Sequence, residues 1–241
     1  MRAIVLAGGL GTRLGGVCKY LPKPLVPVGD MAVAEILLQQ LVAAGFHHVT
    51  FAVGHRASLV MAYFSNGAIP DGVTVDFSRE TEPLGTMGPL CLIDDLPDNF
   101  LVVNGDVLTD LNFGHMMHQH RSNRMPLTVA THRREVVSDF GVLHVEDGRV
   151  VQFAEKPISV SEVSMGAYVL SGDAVAAISR GRPFGFDDLV ISLLSTDWPI
   201  GAFAHDGYWL DIGRPADYER ANEEFATMKS RLLPESPCKT P

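Results

Sequence analysis

Cysteine is scarce, with only Cys18, Cys91 and Cys238 in 241 residues and no C-x-x-C spacing among them. A disulfide framework or a thiolate metal cluster needs more than that, so these residues are expected to be small buried or surface thiols. Positive charge is short as well, 19 Lys+Arg against 28 Asp+Glu for a net charge of −9. Such a balance repels a nucleic-acid backbone and leaves room only for a local basic pocket around a small anion. No run of about 18 apolar residues occurs, so no membrane span or membrane partner is expected. The apolar stretch Ala3 to Ala7 runs straight into glycines. It is too short for a secretory h-region, and the expectation is a cytoplasmic protein. There is no internal repeat, and nothing after Phe225 has the hexapeptide period of a β-helix. Apolar residues, at 46%, are plentiful enough for a sizeable core.

Their spacing predicts alternating strands and helices. Ala3–Ala7 is a continuous apolar run of the kind a strand buried on both faces requires. From Val33 the pattern becomes helical through Leu37, Leu41 and Ala44, stopped by Gly45. A second strand follows at Val49–Val53, then a short helix near Leu59, Val60, Tyr63 and Phe64. Val73, Val75 and Phe77 alternate with polar residues, which places a third strand near an edge, and Phe100–Val103 is again fully apolar. Beyond Pro126 strands are expected at Leu127–Thr131, at Val142–Val145 and Val150–Phe153 around the hairpin turn Asp147-Gly148, and at Met165–Leu170. A helix at Asp187–Leu194, strands at Ile200–Phe203 and Tyr208–Leu210, and a helix from Pro215 to about Phe225 complete the domain. The expectation is one α/β unit over residues 1–225, followed by a frayed tail at 226–241. His115, His118 and His120 lie close together, but with no carboxylate or Cys at ligand spacing they read as a solvated helix face.

The chemistry-bearing segment is Leu6-Ala7-Gly8-Gly9-Leu10-Gly11-Thr12-Arg13-Leu14, directly after the first strand. Closely spaced glycines let backbone N–H groups approach an anion, and a triphosphate is the natural guest. Arg13 within the loop and Lys23 in Pro22-Lys23-Pro24 add fixed cations, the prolines holding the lysine's backbone. A P-loop would need Lys and Ser/Thr straight after the glycines, and a dinucleotide fingerprint would need a long helix there. Neither is present.

Leu6–Leu14 together with Pro22-Lys23-Pro24-Leu25, Pro27 and Val28 resembles the signature of the sugar-1-phosphate nucleotidyltransferases, the NDP-sugar pyrophosphorylases. The resemblance continues in family order through Pro83-Leu84-Gly85-Thr86, Asn104-Gly105-Asp106, Glu155-Lys156-Pro157, Gly166-Ala167-Tyr168 and Tyr208-Trp209-Leu210-Asp211-Ile212-Gly213. It implies a Rossmann-like, mostly parallel mixed sheet flanked by helices, with a small β-rich sugar-binding lobe. The nucleotide-binding part would cover about 1–125 and the sugar-phosphate part about 126–225. It implies transfer of a nucleoside monophosphate from an NTP to a sugar-1-phosphate, releasing pyrophosphate. Arg13 and Lys23 are then the catalytic cations. Leu6, Ala7, Gly8, Gly9, Gly11, Thr12, Glu80, Pro83, Gly85, Thr86 and Asp106 join them in holding the nucleotide. Asn104, Gly141, Glu155, Lys156 and Gly166 would hold the sugar phosphate, and Asp106 with Asp211 would hold Mg²⁺.

On chemical grounds two carboxylates plus substrate phosphates suit Mg²⁺. The second pKa of a phosphate monoester, near about 6, leaves the nucleophile largely dianionic without a general base. Glu80 stands five positions before Gly85, where the family reads the base. A carboxylate accepts together from guanine N1–H and N2–H₂, which favours GTP. Gly15–Leu21 and Glu82–Thr86 look more like the heptose-1-phosphate guanylyltransferases, and the chain as a whole resembles the heptose- and mannose-1-phosphate guanylyltransferases. Uridylyl or thymidylyl transfer, a phosphocholine-type acceptor, and a non-catalytic nucleotide-sugar sensor remain open, and a homo-oligomer is compatible with the sequence.

Overall fold

The computed structural model describes residues 1–67 and 69–233, with residues 16–19 as backbone alone, and all structural statements below concern these residues. Alternation within the first strand, β1 (Arg2–Ala7), sets the architecture. Ala3, Val5 and Ala7 point into one hydrophobic cluster while Ile4 and Leu6 point into another on the opposite face. A strand buried on both sides belongs in the middle of a sheet.

The chain continues through the two-residue strands β2 (Pro27–Val28) and β3 (Met31–Ala32), then α1 (Val33–Ala43), β4 (His48–Val53), α2 (Ala57–Ser65) and β5 (Thr74–Arg79). Next come β6 (Asn99–Asn104), β7 (Val107–Thr109), α3 (Phe113–Asn123), β8 (Leu127–Val137), β9 (Val142–Glu146), β10 (Arg149–Ala154) and β11 (Ile158–Ser171). It ends with α4 (Gly172–Ala176), α5 (Phe186–Ser195), β12 (Ile200–Ala204), β13 (Trp209–Asp211) and α6 (Pro215–Leu232). Seven strands form the main sheet in the order β12-β8-β11-β6-β1-β4-β5. Only β11 runs antiparallel to its neighbours, so the sheet is mostly parallel and mixed.

Leu37, Leu38 and Leu41 of α1, Val60 and Phe64 of α2, and Phe113, Met116 and Met117 of α3 cover one face. Ala174 of α4 and Leu189 and Leu193 of α5 cover the other. The C-terminus of α1 is closed by Gly45 at φ +85°, with Phe46 N–H returning to Leu41 O at 2.9 Å. A third cluster lies under α6, where Ala221, Phe225 and Leu232 meet Leu108 and Leu210.

Several elements differ from the sequence reading. The last helix does not stop near Phe225. Its buried positions recur at 221, 225 and 232 with Met228 packed beside them, so it continues to Leu232. Residues 226–232, expected in a frayed tail, are helical, and residues 234–241, with Cys238, lie outside the described residues. The strands expected at 127–131 and 165–170 run on to Val137 and back to Ile158, paired with each other as a two-stranded ribbon. The expected strands stopped at Thr131 because Arg133, Arg134 and Glu135 interrupt the apolar run there. Asp147 at φ +47° and Gly148 at φ +76° form the expected tight hairpin turn between β9 and β10. The histidines do not share one environment: His115 and His118 are exposed, whereas His120 is buried between Thr128 Oγ1 at 2.8 Å and Asn99 Oδ1 at 3.1 Å. Cys91 is partly buried, and burial pushes its thiol up.

Candidate active site

β1, β4, β5 and β6 all end at one edge of the sheet. The chain leaves β1 toward β4 on one side and returns to β6 on the other, and the crevice at such a reversal is where open α/β sheets bind ligands. A cleft of about 770 Å³ opens there, and the residues following each of the four strands line it. Leu6 to Arg13 form its floor and rim. Gly11, at φ +64° and ψ 21°, makes the left-handed turn that redirects the loop into the short 3₁₀ stretch carrying Thr12 and Arg13.

Gly8 and Gly54 have a different job. A Cβ on either would lie 2.4 Å from Glu80 Oε1, so the two glycines are the bed on which the Glu80 carboxylate rests. Its Oε2 accepts the Leu84 N–H at 3.0 Å, fixing the carboxylate against the segment 80–86. Pro83, Gly85 and Thr86 line the same wall. Gly85 adopts φ +78° where its α-carbon abuts the Phe184 carbonyl, which leaves no room for a side chain.

The opposite wall carries the charges. Gly105 donates its N–H to Leu6 O at 2.9 Å, which holds the bend after β6 over the end of β1 and presents Asp106 to the cleft. β13 pairs with β7, setting Asp211 opposite Val107, and Ile212 N–H bonds to Asp106 O at 3.1 Å. Two carboxylates 105 positions apart in sequence therefore sit side by side. Lys23, held between Pro22 and Pro24 at the start of a 3₁₀ turn, donates to Asp106 Oδ2, and its Nζ is 3.8 Å from Asp211 Oδ1. Burial and the neighbouring Asp106 charge raise the Asp211 carboxyl above the usual carboxylate range, while Lys23 and Arg13 pull it back. The charge of Arg13 thus reaches Asp211.

This cluster accepts a hard divalent cation. Asp106 Oδ1 is buried with no hydrogen-bond partner, and a second carboxylate beside it is held partly against its own charge. Oxygen donors in that condition match Mg²⁺, which takes one or two protein carboxylates and fills its octahedron with water and phosphate. No group of three or more His, Cys, Asp or Glu side chains suited to a metal occurs among the described residues, so the remaining ligands would come from solvent and substrate.

Of the residues expected to hold the sugar phosphate, Asn104 lines the cleft and Gly166 lies against it. Gly166 has φ +77°, and a Cβ there would sit 2.6 Å from Asn104 Nδ2. Gly141, Glu155 and Lys156 do not line this cleft. Gly141 and Glu155 touch each other where the ribbon bends, a Cβ at 141 falling 3.2 Å from Glu155 Oε2, and Lys156 occupies the turn into β11 with φ +41°. All three are exposed. Two ionisable cleft residues went unnoticed in the sequence, His55 and Arg79. Both stand at or just beyond the C-terminal end of a strand expected from periodicity, the position where ligands bind, and that was the signal available.

Known proteins bear on this geometry. The family model described as "Nucleotidyl transferase" matches residues 2–228. A mannose-1-phosphate guanyltransferase of Yarrowia lipolytica is 32% identical over 98% of this chain and 67% of its own length. The mannose-1-phosphate guanylyltransferase catalytic subunit beta of Drosophila pseudoobscura pseudoobscura is 34% identical over 90% of this chain and 60% of its own length, so the chain spans about two thirds of such relatives. Among solved structures, HddC from Yersinia pseudotuberculosis superposes with a TM-score of 0.72 at 26% identity, covering 93% of this chain and 99% of that one. The same protein has been solved in complex with GMP-PN. A glucose-1-phosphate thymidylyltransferase of Bacillus anthracis described as putative, 21% identical with a TM-score of 0.74, shares the fold. The glycine loop, the Lys23–Asp106–Asp211 cluster and a family match from residue 2 to residue 228 converge, and the chain belongs to the nucleotidyl transferase family.

Proposed function

We propose that this protein catalyses Mg²⁺-dependent transfer of a guanylyl group from GTP to an aldose-1-phosphate of the mannose type, releasing pyrophosphate. The observation that carries the reading is one cleft lined by a glycine loop, Arg13, Lys23 and Asp106, with Asp211 beside them 3.8 Å from the Lys23 ammonium. In this reading the sugar phosphate attacks the α-phosphorus directly. Its dianion needs no deprotonation, so the task of the protein is to bring two polyanions together and to neutralise the charge that moves onto pyrophosphate.

Each residue then has a physical role. Backbone N–H groups from Gly8 to Thr12 cradle the phosphates, and Arg13 and Lys23 meet the charge that grows on the leaving group. Asp106 and Asp211 would hold Mg²⁺, which would supply Lewis-acid charge neutralisation against the repulsion between the substrates. Lys23 exchanges its carboxylate partner for a phosphate as the nucleotide enters. Glu80, lining the cleft from its glycine bed, accepts from the guanine edge. Asn104 and Gly166 border the acceptor, with Gly141, Glu155 and Lys156 approaching from the ribbon. The names of the relatives and the GMP-PN complex of HddC support guanine as the base and mannose-1-phosphate as the model acceptor. A cytoplasmic setting, where both charged substrates are available in water, belongs to the same reading.

The test is pyrophosphate release with GTP, ATP, UTP and TTP, each against mannose-1-phosphate, glucose-1-phosphate, a heptose-1-phosphate and phosphocholine. Release is expected only with nucleotide, sugar phosphate and Mg²⁺ together, and fastest with GTP. Equal rates with all four nucleotides would remove the guanine assignment, and tight binding without release would convert the reading to a sensor.

A further inference from the structure

Asp106 and Asp211 are brought together by a slight scaffold. β7 and β13 are three residues each and form a two-stranded sheet of their own, with Thr109 opposite Trp209, Leu108 opposite Leu210 and Val107 opposite Asp211. So short a pair is marginal by itself, and a slip of one residue would turn Asp211 to the opposite face. Leu108 and Leu210 bury the middle of the pair in the cluster under α6. Its two ends must be fixed by other contacts. At the cleft end that contact is the Ile212 N–H on Asp106 O at 3.1 Å.

The far end is closed by Asp110, which does not line the cleft and whose side chain is only 15% exposed. Its Oδ1 accepts the Tyr208 N–H at 2.7 Å and His205 Nε2 at 2.9 Å, and its Oδ2 accepts from the Arg231 guanidinium in the last turn of α6. Burial pushes the carboxyl up, but these three donors outweigh it and hold Asp110 below the usual carboxylate range. The backbone closes the same clasp. Asp110 N–H and Thr109 Oγ1 both donate to Tyr208 O, at 3.2 and 2.8 Å, so Tyr208 is gripped at N–H and C=O three positions before Asp211. His205 in turn bonds its N–H to Thr131 O at 2.9 Å and accepts on its C=O from His132 Nδ1 at 2.7 Å, which ties the clasp to β8 of the main sheet. At Gly207, between the two gripped residues, a Cβ would stand 2.5 Å from Asp110 Oδ1 and 2.6 Å from the His205 ring. Only glycine lets the chain wrap the carboxylate this closely.

We propose that Asp110 is a positioning residue for the two cleft carboxylates: by gripping Tyr208 and His205 it fixes the register of β13 on β7, and that register sets Asp211 beside Asp106. The proposal rests on the reading of those carboxylates as the Mg²⁺ ligands. Its reach is limited to that pair. The glycine loop follows β1 and Glu80 follows β5, so loosening the clasp weakens the response to the metal and leaves metal-free nucleotide binding alone.

The test is the factor by which Mg²⁺ tightens GTP binding, measured by calorimetry in Mg²⁺ and in EDTA with no acceptor present. Asp110→Ala should lower that factor roughly tenfold, as loss of a group that orients metal ligands does, with GTP affinity in EDTA unchanged. Asp110→Asn keeps an oxygen for the Tyr208 N–H and for His205, and should stay within about threefold of wild type. Gly207→Ala retains Asp110 but drives a methyl into its carboxylate, so it should repeat the alanine pattern and serves should Asp110→Ala not fold. Hydrogen exchange without metal gives a second readout: in Asp110→Ala the Ile212 amide should exchange faster, while the Gly105 amide on Leu6 O should not. Asp106→Asn is the control for the cleft and should abolish most of the Mg²⁺ factor. If it does so while folded Asp110→Ala or Gly207→Ala keeps the wild-type factor, the proposal is overturned and the reading of the cleft stands. An asparagine variant as impaired as alanine likewise overturns it, because the grip on Tyr208 and His205 would then not be what matters. If Asp106→Asn keeps the factor, the metal reading falls and the proposal falls with it.

Discussion

Asp211→Asn should leave the protein as stable as wild type, or more so, while removing most of its turnover. Asp211 lies beside Asp106, and burial with that neighbouring charge raises its carboxyl above the usual range. A raised carboxylate pKa means that ionisation costs stability at neutral pH, a cost relieved as pH falls toward the raised value. Lys23 at 3.8 Å offsets part of it, and the Asp211 side chain is 47% exposed, so solvent screens the remainder. The net gain on substitution is therefore at most about 1 kcal/mol, or about 2–4 °C in melting temperature for a domain of this size. Loss of one Mg²⁺ oxygen ligand at developing charge should lower kcat by about 10²–10³. Thermal melts in EDTA and in Mg²⁺, alongside pyrophosphate release, measure both sides. Mg²⁺ with GTP should raise the wild-type melting temperature, and the variant should lose most of that response. A variant that melts well below wild type in EDTA would show that Asp211 holds the fold together, and wild-type turnover would show that it holds no metal.

Gly8→Ala places a methyl where Glu80 Oε1 stands 2.4 Å away, about 1 Å inside ordinary contact, so the carboxylate must move off its bed and loosen the Leu84 bond. Selectivity for GTP over UTP should fall while the melting temperature changes little, and an unchanged nucleotide profile would separate Glu80 from the base. Glu80→Gln, which keeps the shape and trades one acceptor for a donor, should also shift preference away from GTP, read as a ratio of kcat/KM values. Burial lowers the His120 pKa to about 4 from 6.5. Between those values the unfolded chain binds more protons, so stability is complete above 6.5 and falls as pH drops toward 4, by about 2 kcal/mol at a pH of about 5. His120→Gln should lose that part of the pH dependence, and parallel stability–pH curves for the two proteins would refute it.

Local pattern carried the centre of the fold. Ala3–Ala7 is apolar at every position because both faces of β1 are covered, and the loop that follows needs glycine for reasons visible in the chain itself. Asp147-Gly148 likewise announces its turn. What escaped reading depends on partners distant in sequence. β7 is three residues long and exists because β13, some hundred positions later, pairs with it. The outer halves of β8 and β11 hold each other through segments in which charged and polar residues break up the apolar pattern. His120 sits on the stripe of Phe113, Met116 and Met117, and that spacing, rather than its nearness to His115 and His118, foretold its burial. At the site, the motifs brought Arg13, Lys23, Asp106 and Asp211 into one cluster as read, whereas Arg79 and His55 carry no motif and are placed only by the strand ends.

The account rests on direct attack of one phosphate on another, with no group of the protein forming a bond to the nucleotide. Turnover of GTP made chiral at its α-phosphorus with oxygen isotopes, with a sugar-1-phosphate as acceptor, tests that step. One in-line displacement in the cleft predicts inverted configuration in the GDP-sugar. Retained configuration would require a covalent nucleotidyl-protein intermediate and would contradict the account.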